Sequence, residues 1–260
     1  MRKLYTTASL VAILTVPVFG QIWNDGGQDQ LWSSSANWST GAVPTATGAV
    51  QIGTQPSGDA LVIDTGATSV ASFTLNSSLT GPFDIVGAGA ADTFQVNGAI
   101  TNNDDSRHSF LLPFSAGASA TWDGPLAFKN IVNIDAFSIT VADSLQFTGA
   151  INLSITSASV FGRFLGAGTA DFTGATINIG SAFSGFAAND TFDFTSGSFT
   201  GATLGTLPTL TNGLTWNTTG FLTTGILTVT SAIPEPSTWA ALFGVSALGF
   251  AACRRRRQAK

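Results

Sequence analysis

Residues 142–151 read ADSLQFTGAI, and related phrases occur at 91–100 (ADTFQVNGAI), 170–179 (ADFTGATINI) and 189–197 (NDTFDFTSG). Each phrase alternates polar and apolar residues after an aspartate, and small residues follow. Alternation with a period of two predicts a half-buried β-strand, and Gly, Asn, Asp and Ser predict the turn that ends it. The copies begin 51, 28 and 19 residues apart. Such irregular spacing is typical of a β-solenoid with about 20 to 25 residues per rung and loops of variable length.

Similar short runs extend along the rest of the chain, and together they predict an all-β fold. Lysine and glutamate, which favour helix surfaces, are almost absent. A solenoid is favoured over a β-sandwich, which stays the alternative. Phe94, Phe147, Phe172 and Phe192 are expected to point into its core. The predicted strands are 61–63, 72–75, 83–86, 93–96, 131–134, 144–147, 176–179, 191–194 and 222–229.

The first 20 residues have the pattern of a secretory signal peptide. Arg2 and Lys3 precede an apolar stretch, 4–18, and small residues follow before Gln21. This order predicts export through the Sec machinery and cleavage by signal peptidase before Gln21.

The C-terminal segment 233–257 reads IPEPSTWAALFGVSALGFAACRRRR. Its apolar part, 238–253, has no charge and could form a membrane helix of about 24 Å, a little short for a bilayer core of about 30 Å. The basic cluster that follows is expected to stay in the cytoplasm, which places the protein body on the outer face of the membrane. The cluster consists of Arg254, Arg255, Arg256 and Arg257.

Pro234, Glu235, Pro236 and Ser237, followed by the apolar stretch and the arginines, resemble the PEP-CTERM sorting signal. The resemblance implies that an exosortase recognises the Pro-Glu-Pro motif and processes the protein. It also implies an inner-membrane intermediate, followed by the cell surface or extracellular matrix of a Gram-negative bacterium. A plain single-pass anchor is the alternative, but it does not require the motif. Glu235 is the only glutamate of the chain, and its two proline neighbours favour an extended backbone.

Between these segments lies a body, 21–232, that is strongly acidic. It contains fourteen aspartates and only three basic residues, Arg107, Lys129 and Arg163, which gives a net charge of −11. Such a body repels nucleic acid and anionic lipid, so no nucleic-acid partner is expected.

Several phrases of the body resemble the passenger repeats of autotransporter-type adhesins. These phrases are 100–103, 108–113, 120–124 and 147–151. The resemblance implies a right-handed parallel β-helix. Trp23, Trp32 and Trp38 lie within sixteen residues near the start of the body. They are expected to form a hydrophobic cap over the open end of the solenoid, with a sugar-stacking platform as the alternative.

The residue inventory of the body leaves few routes to catalysis. It has one histidine, His108, and no cysteine, glutamate or tyrosine. His108 follows a polar stretch and is expected to be a solvated loop residue, so no catalytic residue is assigned. A site that combines Arg107, Lys129 or Arg163 with aspartates remains the alternative.

No metal ligand is assigned either. Calcium is chemically plausible at Asp104 with Asp105, or at Asn189, Asp190 and Asp193. Turn capping by these side chains is the favoured interpretation.

The sequence therefore predicts a non-enzymatic, exported structural or adhesive protein of the cell surface or matrix, with exopolysaccharide as a possible partner. Two other classes stay open. One is a β-helical carbohydrate-active enzyme, either a polysaccharide lyase or a glycosidase. The other is a carbohydrate-binding module that uses Trp23, Trp32 and Trp38.

Overall fold

The computed structural model describes residues 20–231 together with Phe243, Val245 and Arg254. The body is a coil in which three parallel sheets, A, B and C, form three faces. The strand β1 (Gln21–Trp23) precedes six rungs, and each rung gives one strand to sheets A, B and C in turn. The rungs are β2 (Ala49–Ile52), β3 (Ala60–Ile63) and β4 (Ala67–Val70); β5 (Ser72–Leu75), β6 (Asp84–Gly87) and β7 (Thr93–Val96); β8 (Ile100–Asn102), β9 (His108–Phe110) and β10 (Phe114–Ala116); β11 (Ala120–Asp123), β12 (Leu126–Phe128) and β13 (Val132–Asp135); β14 (Ser138–Val141), β15 (Ser144–Phe147) and β16 (Ala150–Ile155); and β17 (Arg163–Leu165), β18 (Thr169–Asp171) and β19 (Thr176–Ser181).

The chain after the sixth rung closes the coil. It contributes β20 (Thr191–Asp193), β21 (Thr203–Leu204), β22 (Leu214–Asn217), the one-turn helix α1 (Phe221–Thr224) and β23 (Ile226–Ser231). β21 extends sheet C, whereas β20, β23 and β22 form a small antiparallel sheet D in that order. Two single 3-10 turns, Ser35–Asn37 and Ser57–Asp59, lie in the loops near the first rung. Among the described residues, no helix is long and apolar enough to cross a bilayer.

The parallel sheet order confirms the solenoid and excludes the β-sandwich. Each rung returns to the same three faces, so residues one rung apart stack on one another and the apolar member of each alternating pair points inward. The first strands of successive rungs begin between 18 and 28 residues apart, close to the predicted period. The right-handed sense of the coil stays a prediction.

An aromatic stack runs through the core at the end of sheet B. The ring centroids are 4.9 Å apart for Phe110 and Phe128, 5.2 Å for Phe128 and Phe147, and 5.3 Å for Phe147 and Phe172. The ring planes of Phe110 and Phe128 differ by only 7°. The distances between successive rings are close to the separation of the strands that carry them. The predicted core phenylalanines are confirmed, since Phe94, Phe147, Phe172 and Phe192 are all buried.

One detail of the sequence prediction is wrong. The segment 222–229 is not one strand: its first three residues belong to α1, which begins after Gly220 in a left-handed conformation, and the strand starts only at Ile226. The repeated phrases occupy different corners of the coil. The phrase 91–100 joins sheet C to sheet A, whereas 142–151 and 170–179 join sheet B to sheet C.

Candidate functional site

The only histidine of the chain is buried inside the coil, where it joins two rungs. His108 begins β9, is 0% exposed and lies in register with Leu126 of the next rung. Its Nδ1 accepts a hydrogen bond from the backbone N–H of Phe83 at 3.3 Å, and its Nε2 lies 3.1 Å from Oδ2 of Asp104. Because Nδ1 is an acceptor, the proton sits on Nε2, which donates to the carboxylate. The prediction of a solvated loop histidine is therefore wrong.

The loop before His108 is organised by short-range hydrogen bonds. The carboxylate of Asp104 also accepts from the backbone N–H of Ser106. Asn102 is buried and donates through Nδ2 to the carbonyls of Ser106 and Pro125, at 2.9 Å and 3.0 Å. These bonds hold the carboxylate beneath the imidazole, four residues away in sequence. The polar run 102–108 thus joins rungs through its buried members Asn102 and His108, while Asn103, Asp105 and Arg107 stay exposed.

The pKa values of the pair agree with a neutral imidazole facing a carboxylate. Burial lowers the pKa of His108, and the hydrogen bond and negative charge of Asp104 offset only part of this effect. Burial raises the pKa of Asp104, but hydrogen bonds from Ser106 and His108 outweigh it and the net pKa is lowered. A neutral imidazole that donates to a single carboxylate could serve as a base only after opening of the loop, since no atom of it reaches solvent.

Arg107 crosses the outer face of sheet B. Its guanidinium donates to Oγ of Ser144 at 2.8 Å and to Oε1 of Gln146 at 3.5 Å, both on β15. The side chain therefore spans β12, whose outward Ala127 is only 1% exposed. Gln146 in turn donates to Oδ2 of Asp171 on β18 at 3.4 Å. This polar chain joins the third, fifth and sixth rungs on the outside, and the aromatic stack runs through the third to the sixth rung on the inside.

The pKa of the last carboxylate in that chain is also lowered. Hydrogen bonds from the backbone and side chain of Thr173 are the main cause for Asp171, and Gln146 and the charge of Arg107 add smaller contributions.

The other two cations of the body lie elsewhere. Arg163 begins β17 in sheet A, where its Nε donates to Oγ of Ser138 at 3.0 Å and its guanidinium lies 5.6 Å from the Phe161 ring centroid. Lys129 is exposed and follows β12 of sheet B. The three cations therefore occupy separate strands or corners.

The three N-terminal tryptophans pack together over the first rung. Trp23, Trp32 and Trp38 are 0%, 1% and 2% exposed. Trp38 meets Trp23 edge to face at 5.2 Å and Trp32 at 4.7 Å, and Trp32 continues to Phe94 at 5.5 Å. The predicted cap is confirmed. A sugar-stacking platform from these three rings is excluded because no indole face is open to solvent.

Two of the aspartates considered for calcium, Asp104 and Asp190, accept hydrogen bonds in turns, whereas Asp193 lies on β20. Asp104 is engaged as described, and Asp190 accepts the backbone N–H of Ala187 at 2.8 Å. Across residues 20–231 and the three described tail positions, no cluster of three or more His, Cys, Asp or Glu side chains could hold a metal ion.

A third set of interactions was not anticipated from the sequence, namely an amide ladder on sheet C. Asn152 donates to Asn133 at 2.7 Å, and Asn178 donates to Asn152 at 3.0 Å, on three successive rungs. Thr206 then donates its backbone N–H to Asn178. The signal was present as single asparagines in alternating runs, but their alignment depends on loop lengths that the sequence does not reveal.

The predicted signal peptide (1–20), sorting motif (234–237) and membrane helix (238–253) fall outside the described residues, apart from Gly20, Phe243 and Val245. Arg254 is the one described member of the basic cluster.

Comparison with protein-family models matches residues 232–257 to the PEP-CTERM protein-sorting motif. The matched segment contains the Pro-Glu-Pro motif, the apolar stretch and the four arginines predicted to act together. The predicted sorting signal is thereby confirmed. It marks an exported protein that is processed at the membrane by an exosortase and reaches the surface. Comparisons with curated proteins and with solved structures gave no match.

Proposed function

We propose that the body acts as a structural or adhesive module of the cell surface or extracellular matrix, delivered there by the exosortase. The observation that carries this proposal is the use made of its polar side chains. His108 with Phe83, Arg107 with Ser144, and the asparagine ladder connect different rungs of the coil. These groups stabilise a rod whose function resides in its shape and surface.

The finer parts of the proposal are an inner-membrane intermediate in a Gram-negative cell and retention in the matrix by exopolysaccharide. The resemblance of the phrases 100–103, 108–113, 120–124 and 147–151 to autotransporter passenger repeats favours an adhesive role. Signal peptidase and the Sec machinery are the proposed export partners. We further propose that the body has no enzymatic activity.

The test is a matrix-retention assay on cells that carry single polar variants. Arg107→Gln, Lys129→Gln, Arg163→Gln and Asp171→Asn should each retain the protein in the matrix as the unaltered chain does. Loss of the whole protein should reduce cohesion of the matrix. If one variant keeps its thermal melt but loses all retention, a discrete site exists there and the scaffold proposal is wrong. If the body is instead a carbohydrate-active enzyme, one of these variants should keep its thermal melt and lose both retention and sugar cleavage.

A further inference from the structure

Two loops at the N-terminal end of the coil contain three buried oxygen atoms that receive no hydrogen bond from the described residues. They are Oδ1 of Asp25, Oε1 of Gln55 and Oγ of Ser57. Asp25 lies in the loop after β1, whereas Gln55 and Ser57 lie in the loop between β2 and β3 of the first rung. Buried polar atoms ordinarily have partners, so three such atoms in adjoining loops indicate a bound group.

The carboxylate of Asp25 joins the two loops. Its Oδ2 accepts the backbone N–H of Ser57 at 2.8 Å, so its Oδ1 and the Ser57 hydroxyl lie beside the same nitrogen. Pro56, between Gln55 and Ser57, has an extended backbone with φ −60° and ψ 138°. Side chains two residues apart on an extended backbone point to the same side. This arrangement directs the three oxygens towards the space between the loops.

A second carboxylate lies beside the amide of Gln55. The Nε2 atom of Gln55 donates to Oδ1 of Asp59 at 3.1 Å and to the carbonyl of Pro82 at 3.5 Å. These two bonds fix the direction of the amide, and with it the position of the unpaired Oε1. Asp59 is exposed, so its carboxylate borders the group of oxygens on the solvent side.

The charge of these carboxylates is not neutralised by a neighbouring side chain. Among the described residues, the one ion pair is that of His108 with Asp104 in the third rung. The three cations of the body lie in the third, fourth and sixth rungs, away from the loop of the first rung. One water molecule could bond all three oxygens, but it would leave the charge of Asp25 uncompensated. A cation satisfies the oxygens and the charge together.

Calcium is the cation that suits this set of ligands. It binds hard oxygen atoms from carboxylates, amides and water, and it accepts irregular geometry with six to eight ligands. Magnesium requires a nearly ideal octahedron, and zinc prefers nitrogen and sulfur. The set contains only two carboxylates, and for that reason it is not a cluster of three His, Cys, Asp or Glu side chains.

We propose that Asp25, Gln55, Ser57 and Asp59 bind a calcium ion that fastens the loop after β1 to the first rung. That loop lies between Trp23 and Trp32 in the chain, so the ion would hold the tryptophan cap on the coil. The expected Kd is about 0.1–1 mM, the range of extracellular calcium modules. The inference does not depend on the role of the body in the matrix.

The first test is the thermal melt of the full chain in dodecyl maltoside micelles. About 5 mM CaCl₂ should raise the melting temperature by about 3–6 °C relative to EDTA. The same concentration of MgCl₂ screens the acidic body equally and should have a smaller effect. Asp25→Asn should abolish the calcium effect, because its amide oxygen still accepts the N–H of Ser57 while an NH₂ group replaces the ligand oxygen. Asp143→Asn, at an exposed aspartate of the fifth rung, loses the same charge and should keep the effect.

The second test measures binding without reference to stability. Terbium, Tb³⁺, occupies calcium sites and emits light when a nearby indole is excited, and Trp23 precedes Asp25 by two residues. Calcium should compete with this emission. Gln55→Met removes the amide oxygen without changing the charge, so this variant and Asp25→Asn should lose most of the emission, whereas Asp143→Asn should retain it.

Two results overturn the inference. One is a melting temperature of the unaltered chain that is the same in CaCl₂ and in EDTA. The other is an equal calcium effect in Asp25→Asn and in the unaltered chain. In either case an ordered water alone accounts for the three oxygens. If Asp25→Asn does not fold, Gln55→Met decides the question, since full calcium stabilisation and full Tb³⁺ emission in that variant also overturn the inference.

Discussion

His108 illustrates at the scale of one residue how a polar stretch becomes part of a core. Six polar residues precede it, and such a run ordinarily predicts a solvated loop. In the fold, Asp104 turns back and accepts from Nε2, while Phe83 of the preceding rung donates to Nδ1. Both ring nitrogens are satisfied, so the imidazole can be buried at a small cost.

Replacing His108 with alanine should therefore destabilise the body. The change leaves a cavity, an unpaired N–H at Phe83 and a carboxylate with one donor fewer, for a loss of about 2–4 kcal/mol in the free energy of unfolding. Urea denaturation measures it. Asp105→Ala, an exposed neighbour, is the matched control and should change stability by less than about 0.5 kcal/mol. Equal stability of both variants would show that the buried contacts contribute nothing.

The same residue makes stability depend on pH in a defined direction. Since the folded-state pKa of His108 is lowered, the unfolded chain binds a proton first as the pH falls below about 6.5. Its contribution is complete above that value and declines as the pH falls towards the folded-state pKa. Asp104 acts in the same direction at lower pH, because its lowered pKa makes its contribution decline below 3.8.

Urea denaturation at pH 7.5 and pH 5 tests this direction. The chain has no other histidine, so His108→Gln should flatten the profile between these values. An unchanged profile in that variant would assign the dependence to other groups.

Phe147 is one of the two inner rings of the four-ring aromatic stack, and its truncation should be costly. Its ring lies 5.2 Å from that of Phe128 and 5.3 Å from that of Phe172. Phe147→Ala is expected to lose about 3–5 kcal/mol, observed as a lower melting temperature. Phe183→Ala, at a partly exposed phenylalanine near the C-terminal end, should lose less. A larger loss at Phe183 would contradict the assignment of the stack as the core.

At the scale of strands and corners, the sequence predicted the elements better than their order. Alternating runs such as 72–75 and 144–147 form the strands β5 and β15. On each of the three sheets, alternation places apolar side chains in the core and polar side chains outside. The repeated phrase does not determine the register, since Leu145 pairs with Ala170 whereas the phrase aligns Ala142 with Ala170. A strand-turn-strand phrase fits any corner, and the intervening loop lengths decide which corner it occupies.

Candidate sites were harder to predict for the same reason. The burial of the tryptophans could be predicted, because apolar side chains must cover the open end of a solenoid. By contrast, the contact of Arg107 with β15 joins residues 37 and 39 positions apart, and the sequence contains no signal for such a pairing without the rung lengths.

Corners also depend on close approach between rungs, which Gly149 demonstrates. A β-carbon at this position would collide with the backbone carbonyl oxygen of Asn130 in the preceding rung. Gly149→Ala should therefore shift a corner and lower the melting temperature, since backbone cannot yield as a side chain can. Gly81→Ala is the control, because nothing lies within 4 Å of its added β-carbon. Equal melts for the two variants would mean that corners adjust without cost.

At the scale of the whole molecule, the coil is closed at both ends. Trp23, Trp32 and Trp38 cover the first rung, and Phe221 packs on Phe194 and Phe199, which follow the sixth rung. Exposed ends of parallel sheets invite end-to-end pairing between molecules, and caps prevent it. The segment that matches the sorting motif follows the C-terminal end of this capped body.

The tail leads to the last prediction, on processing. If the Pro-Glu-Pro motif is the recognition element, Glu235→Ala should leave export and membrane insertion intact, because these depend on the signal peptide and the apolar stretch. The variant should then accumulate in the membrane fraction at its full tail length. Mass spectrometry of membrane and surface fractions measures this, and the unaltered surface form should lack residues 1–20 and the segment after the motif. Ser231→Ala, just outside the motif, is the control and should be released normally. Normal release of Glu235→Ala, or recovery of peptides across 237–257 from the surface form, would reduce the tail to a simple anchor.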